Sequence, residues 1–356
     1  MSRNKSLDLL KCFAMLMVVS LHVQVWNVWF SMGEINVRNA FQYFFRLGSE
    51  GVPIFLMVNG YLMLDKKMDL KKSVLKVLKL SVLLIVWAFI ISFLCRLGTG
   101  TLSLVSVIKY VLDLSVASKH IGVLWYLQAL IALYLLYPLL VIIRSESKAL
   151  FNYLFIVVCF FSVGINLLKL LIDLIYSFGA TPELYKVIVF LQRLNPFSNG
   201  IFLFYFMMGA FVKDYHNRLL EKKQLVILAG VFSWVLAFII GMIISWNNNL
   251  LYSPSFIYSN ISMVFMLMAI YVMCSLVYSI KIFKIDAVFW KIIESIGRNT
   301  LGIYLVHNIV IYYINRVIIF KGLAGRGLEL ILVFFISYGM VVVIKKIPVV
   351  NKLVSV

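Results

Sequence analysis

Long apolar stretches alternate with short interruptions rich in lysine and arginine along the whole chain. Ten of the stretches approach or exceed the roughly 20 residues that a helix needs to cross a bilayer core. They run over residues 11–30, 41–64, 80–97, 123–143, 150–171, 197–212, 225–246, 256–280, 296–320 and 328–344. The sixth is the shortest, and the eighth has a blurred start. Residues 98–121 form a long interruption, and within them 103–116 alternate as an amphipathic helix suited to an outer interface, with Lys109 and Asp113 four apart. No soluble domain, internal repeat or low-complexity tract stands out, so residues 1–356 read as one all-α membrane domain. The first stretch lacks a small-residue cleavage site and reads as an uncleaved anchor.

Composition agrees with the pattern. The 356 residues are 63% hydrophobic and 13% charged, whereas a soluble surface takes about a quarter charged residues. Mean hydropathy is +1.01. A water-soluble globule and a disordered chain are both excluded. Net charge is +19, which in so apolar a chain points to cytoplasmic loops facing anionic lipid rather than to nucleic acid. With the N-terminus inside, the inner segments hold basic residues over the rest by roughly two to one, so both ends are expected in the cytoplasm. Cys12, Cys95, Cys159 and Cys274 lie singly in apolar runs, which suits neither a disulfide framework nor a metal site.

Ionisable side chains inside apolar spans are costly and draw attention to function. The first stretch opens with Asp8 and Lys11 and continues to His22. Eleven positions are close to three helical turns, so Lys11 and His22 share a face about 16 Å apart, with Asp8 placed to pair with Lys11. The ninth stretch carries Arg298 and, nine residues on, His307, which enters to a like depth but points to the opposite face. Neutral imidazole suits general-base work. The same residues also fit a snorkelling lysine and histidines bonded to backbone carbonyls. In the second stretch, Gly51 and Pro53 are expected to break the helix where backbone faces a cavity. Asn59, Gly60 and Tyr61 follow near the level of Lys11, and Arg46 and Glu50 suit an outer ion pair. Trp125, Tyr126, Tyr134 and Tyr137 read as an interfacial aromatic belt, and His216 as a solvent-exposed residue of a basic loop.

Taken in order, these pieces resemble the membrane-bound acyltransferase-3 family, bacterial O-acyltransferases that modify surface glycans. The resemblance is carried by Leu7-Asp8 and Lys11 with His22, Gly51-Val52-Pro53 and Phe55 with Asn59-Gly60-Tyr61, Leu124-Trp125-Tyr126-Leu127 with Tyr134 and Pro138, Gly209, and Leu301-Gly302 with Tyr304 and His307. It implies about ten spans and acetyl transfer from cytoplasmic acetyl-CoA, with no permanently bound cofactor and no metal. The acceptor would be a sugar hydroxyl of an envelope or capsular glycan, or of its lipid-linked precursor. Lys11 would lie near the CoA phosphates, with Arg46, Asn59, Gly60, Tyr61 and Arg298 around the donor. His22 would act as general base or transient acyl carrier, with His307 and Asp8 also in the catalytic set. The family usually has arginine where Lys11 stands, arginine at Ser49 and serine at Asn59. Lysine offers phosphate a point charge rather than a fork. The competing expectations are a transporter or flippase using the same buried groups, and acylation of a peptide or amino acid.

Overall fold

The computed structural model describes residues 4–25, 51–99, 103, 105, 108, 122–179, 182–197, 200–248, 260–279 and 287–354. Among them the chain is helical throughout. The helices are α1 (Lys5–His22), α2 (Val52–Met63), α3 (Leu70–Thr99), α4 (Trp125–Glu146), α5 (Lys148–Cys159), α6 (Ile165–Ser177), α7 (Tyr185–Arg193), α8 (Gly200–Asp214), α9 (His216–Glu221), α10 (Lys223–Asn248), α11 (Ile261–Ser279), α12 (Ala287–Val317) and α13 (Gly322–Ile344). A π-type segment, Phe160–Gly164, joins α5 to α6. Arg46 and His120 lie outside the described residues, as does most of the expected interfacial segment 103–116.

Local chemistry sets several helix starts. Asn4 caps α1 by accepting from the backbone N–H groups of Ser6 and Leu7, and Ser147 caps α5 through Leu150. Pro53 sits in the first turn of α2, where a missing N–H goes unnoticed. Only the far side of the break expected at Gly51 and Pro53 lies within the described residues: α2 starts just after Gly51, which backs onto the Ala14 backbone, where an added Cβ would meet the carbonyl oxygen at 2.1 Å.

Helix α1 is central and packs on α2, α11, α12 and α13. Around this centre, α10 pairs with α11, α3 with α4, and α2 with α8. The last of these crossings is the tightest. A Cβ at Gly60 would lie 1.7 Å from the Phe206 carbonyl oxygen, and one at Gly209 would lie 2.1 Å from that of Met57. The two glycines let the backbones approach, as small residues do between membrane helices.

Six helical segments are long and apolar enough to cross a membrane: Leu70–Leu97, Trp125–Glu146, Lys148–Ser177, Lys223–Ile244, Ile261–Tyr278 and Gly322–Ile344. Their outward faces carry exposed stripes such as Leu78, Val82, Ile85 and Phe89 on α3, or Leu225, Leu228 and Phe232 on α10. Apolar surface on this scale suits lipid rather than water, and the chain is a multi-pass membrane protein. Three sequence-expected spans correspond to helices that fall short for physical reasons: Asp8 and Lys11 interrupt α1, Asn299, Thr300, His307 and Asn315 dilute α12, and α8 has only 15 residues. The described part of the second expected span, α2, has 12 residues. The helices that carry candidate chemistry are thus the less lipid-like ones.

A charge cluster ties one end of the bundle together. Buried Arg144 at the end of α4 donates to Asp65 at 2.7 Å and to Asp214 at 2.8 Å, and Lys213 meets Asp65 at 2.7 Å. Burial pushes the Asp65 carboxyl up, but the hydrogen bonds and charges of Lys213 and Arg144 outweigh it and hold the group below its usual range. His216 is not the free surface residue expected from sequence: it is partly buried, with Nδ1 2.7 Å from the Tyr271 hydroxyl.

Two outcomes follow from this packing. Gly60→Ala should lower the thermal midpoint of the detergent-solubilised protein, by about 1–3 kcal/mol of overpacking, measured by intrinsic fluorescence on heating. Because Asp65 titrates lower folded than unfolded, its stabilisation is complete above the ordinary carboxylate value of about 3.9 and fades as pH falls through the folded value. The same assay run from pH 6 downward should show a loss of midpoint that is blunted in Asp65→Asn.

Candidate functional site

The site begins where α12 crosses α1. Asp8 is almost fully buried and forms an ion pair with Lys11 at 2.9 Å. Lys11 Nζ also donates to the Gly297 carbonyl at 3.2 Å. The close crossing needs a glycine, since a Cβ on residue 297 would stand 2.7 Å from the Asp8 carboxylate. Cys12 adds a second tie, its Sγ 3.4 Å from the Ile293 carbonyl. Arg298, next along, is 58% exposed and pairs with Glu294 one turn earlier.

Beside this crossing lies a cavity of about 380 Å³, between α1, α2, α3, α4 and α12, within the size range of small-molecule sites. Lys11, Asn59, Lys76, Tyr126, Arg298 and Tyr304 contribute to its wall. Asn59 Nδ2 donates to the Tyr126 hydroxyl at 3.4 Å. The Tyr126 and Tyr304 rings lie 5.1 Å apart, and the Tyr304 hydroxyl donates to the Val123 carbonyl.

Behind Tyr304 the two histidines meet. His307 is fully buried, its ring 5.6 Å from that of Tyr304. Its Nε2 stands 3.3 Å from His22 Nδ1, with ring centroids 4.9 Å apart. The neighbouring carbonyls fix the tautomers, because a carbonyl can only accept. His307 Nδ1 lies 2.5 Å from the Tyr304 carbonyl and therefore carries its proton, leaving Nε2 as an acceptor. His22 Nδ1 lies 2.8 Å from the Val18 carbonyl, so it too is protonated and points its N–H toward both that oxygen and His307. This leaves the Nε2 lone pair of His22 uncommitted among the described residues. A neutral imidazole so held can take a proton from a hydroxyl group.

The structure therefore brings Lys11, Arg298 and Asn59 to one cavity and His22 and His307 into contact. It does not bring Asp8 to the histidines: Asp8 and His22 are fourteen residues apart on α1, about 21 Å along the axis. Gly60 faces the α8 backbone, and Tyr61 packs against Tyr271 with Lys213 over its ring. Neither lines the cavity.

The aromatic-belt reading of Tyr126, Tyr134 and Tyr137 also needs correction. All three are buried in the bundle, and the first two line the cavity. A further wall residue, Lys76, sits in the basic run of residues 66–79, where its charge alone does not single it out. The signal for it was positional: Lys76 stands four before Leu80, extending the buried stripe of Leu80, Leu84, Trp87 and Ile91.

No curated protein and no solved structure gives a match to this chain. A family model described as an acyltransferase domain does match, over residues 4–345, nearly the whole length. That match takes in the helices that hold the cavity and both histidines, and the chain belongs to the acyltransferase-3 family.

Proposed function

We propose that this membrane acyltransferase moves an acetyl group from cytoplasmic acetyl-CoA to a sugar hydroxyl of an envelope or capsular glycan, or of its lipid-linked precursor. The observation that carries the reading is the arrangement along α1. A cation-lined cavity opens at one end, and at the other a histidine keeps a lone pair uncommitted among the described residues, with Lys11 and His22 about 16 Å apart. The basic end of the bundle would face the cytoplasm, both termini would lie on that side, and all ten apolar stretches would cross the cytoplasmic membrane.

In this mechanism Asp8 positions Lys11, and Lys11 and Arg298 attract the anionic end of the donor. The pantetheine arm reaches along the cavity toward Tyr304, so that Tyr126 and Tyr304 stand between donor and base until the thioester arrives. His22 Nε2 then takes the proton of the acceptor hydroxyl as its oxygen bonds to the acyl carbon. The C–S bond breaks and the proton passes to the departing thiolate, which restores neutral His22. His307 orients His22 by accepting from its Nδ1–H, the role that a third group plays beside many catalytic bases. The family match favours this chemistry over transport.

His22→Ala should remove the acetyl ester from the cell's surface glycan, as would deletion of the gene, when read by mass spectrometry at equal membrane levels. The loss of a general base corresponds to about 10²–10⁴-fold in rate. His307→Gln, which can still accept from His22, should retain more ester than His307→Ala. Ester retained in both the deletion strain and the His22 variant would remove the glycan from consideration as acceptor.

A further inference from the structure

A second cleft, of about 230 Å³, adjoins the cavity and shares Lys76 and Tyr134 with it. Its remaining wall includes Lys66, Lys67, Asp69 and Lys72, from the segment after α2 and the start of α3, and Tyr137 from α4. Such a run could be no more than a solvated face or a contact for lipid headgroups. Three observations set it apart. Lys76 is turned inward: its ammonium lies 4.5 Å from the centre of the Tyr134 ring and 3.9 Å from Met63 Sδ. Among the described residues no carboxylate pairs with Lys66, Lys67 or Lys76, whereas Lys72 meets Asp69 at 3.0 Å. Lys11, which with Arg298 attracts the anionic end of the donor, has its charge largely answered by Asp8 and the Gly297 carbonyl, so the phosphates call for further cations. A partly buried cation whose nearest neighbours are a ring face and a thioether lacks an anion.

We propose that this cleft is the phosphate-end subsite of the acyl donor. Lys76 meets the pyrophosphate where the two hollows join, and Lys66 and Lys67 hold the phosphate monoester on the ribose outside. The inference rests on the acyl-CoA reading above and adds to it a direction. The nucleotide lies over the start of α3, and the thiol arm passes Lys76 into the cavity toward Tyr304. Phosphate oxygens would give Lys76 the charge-assisted partner it lacks.

The test is calorimetric binding of CoA and of dephospho-CoA, which lacks only the ribose phosphate. The full chain is held in nanodiscs of phosphatidylcholine, with monodisperse elution and an unchanged thermal midpoint required of each variant. Wild type should prefer CoA on the order of tenfold, the worth of one or two charge-assisted bonds. The double variant Lys66→Gln/Lys67→Gln should lose that preference. Lys76→Met should weaken both ligands alike, and Lys76→Arg should restore them. CoA binding with the same affinity and preference in every variant would overturn the subsite and leave the donor reading standing. Absence of CoA binding in wild type would remove the donor reading and the subsite together. A cleft whose lysines alter only the retention of phosphatidylglycerol, with the CoA preference unchanged, is a headgroup site, and that result also overturns the proposal.

Discussion

Where α12 crosses α1, the missing side chain of Gly297 leaves room for the Asp8 carboxylate, and Lys11 closes the arrangement by bonding to both. A buried carboxylate in an apolar bundle is tolerable only with such a partner. The same contact sets the register of the two helices. From Gly297 to His307 is ten residues and from Lys11 to His22 eleven, rises of about 15 and 16 Å along helices that run in the same direction. Anchoring one end of the crossing therefore delivers the imidazoles to each other at the far end. The wall of the cavity, the tyrosines at its base and the histidine pair all inherit their positions from that register.

The bundle divides its labour by polarity. Helices such as α3 and α10 turn aliphatic and aromatic stripes outward, while α1 and α12 carry the polar groups and sit toward the centre. The four-charge knot of Asp65, Arg144, Lys213 and Asp214 holds the α2, α4 and α8 ends together beside the cavity. Asn59 can then reach the Tyr126 hydroxyl from a helix whose end is fixed. Polar groups are thus placed where other polar groups answer them, and lipid is left with hydrocarbon.

The helices were legible because a run of apolar residues reports a span whatever its neighbours are. The like depth of His22 and His307 was legible for a similar reason, since depth is simply distance along a helix. Their contact was not, because rotation and packing partner depend on residues far away in the chain, here Gly297 against Asp8. Tyrosines near the start of α4 look the same in sequence whether they face headgroups or a cavity, and only the packing of α12 through Tyr304 separates the cases. Lys76 hid within a basic segment whose bulk charge explained it well enough. Gly60 suggested a binding backbone by its place beside Asn59, yet its missing side chain serves the approach of α8.

The locked tautomers of the histidine pair bear on the energetics of the membrane itself. A chain of imidazoles inside a bundle could conduct protons from one side to the other and run down the gradient that the cell maintains. Here a proton accepted at His22 Nε2 could release the Nδ1 proton no further than His307 Nε2. Beyond His307 the described partners are backbone carbonyls, those of Tyr304 and Ile303, which have no proton to relay and take none away. Among the described residues the pair is a cul-de-sac, open at a single nitrogen. A base can be kept inside the bundle in this way without making the protein a leak.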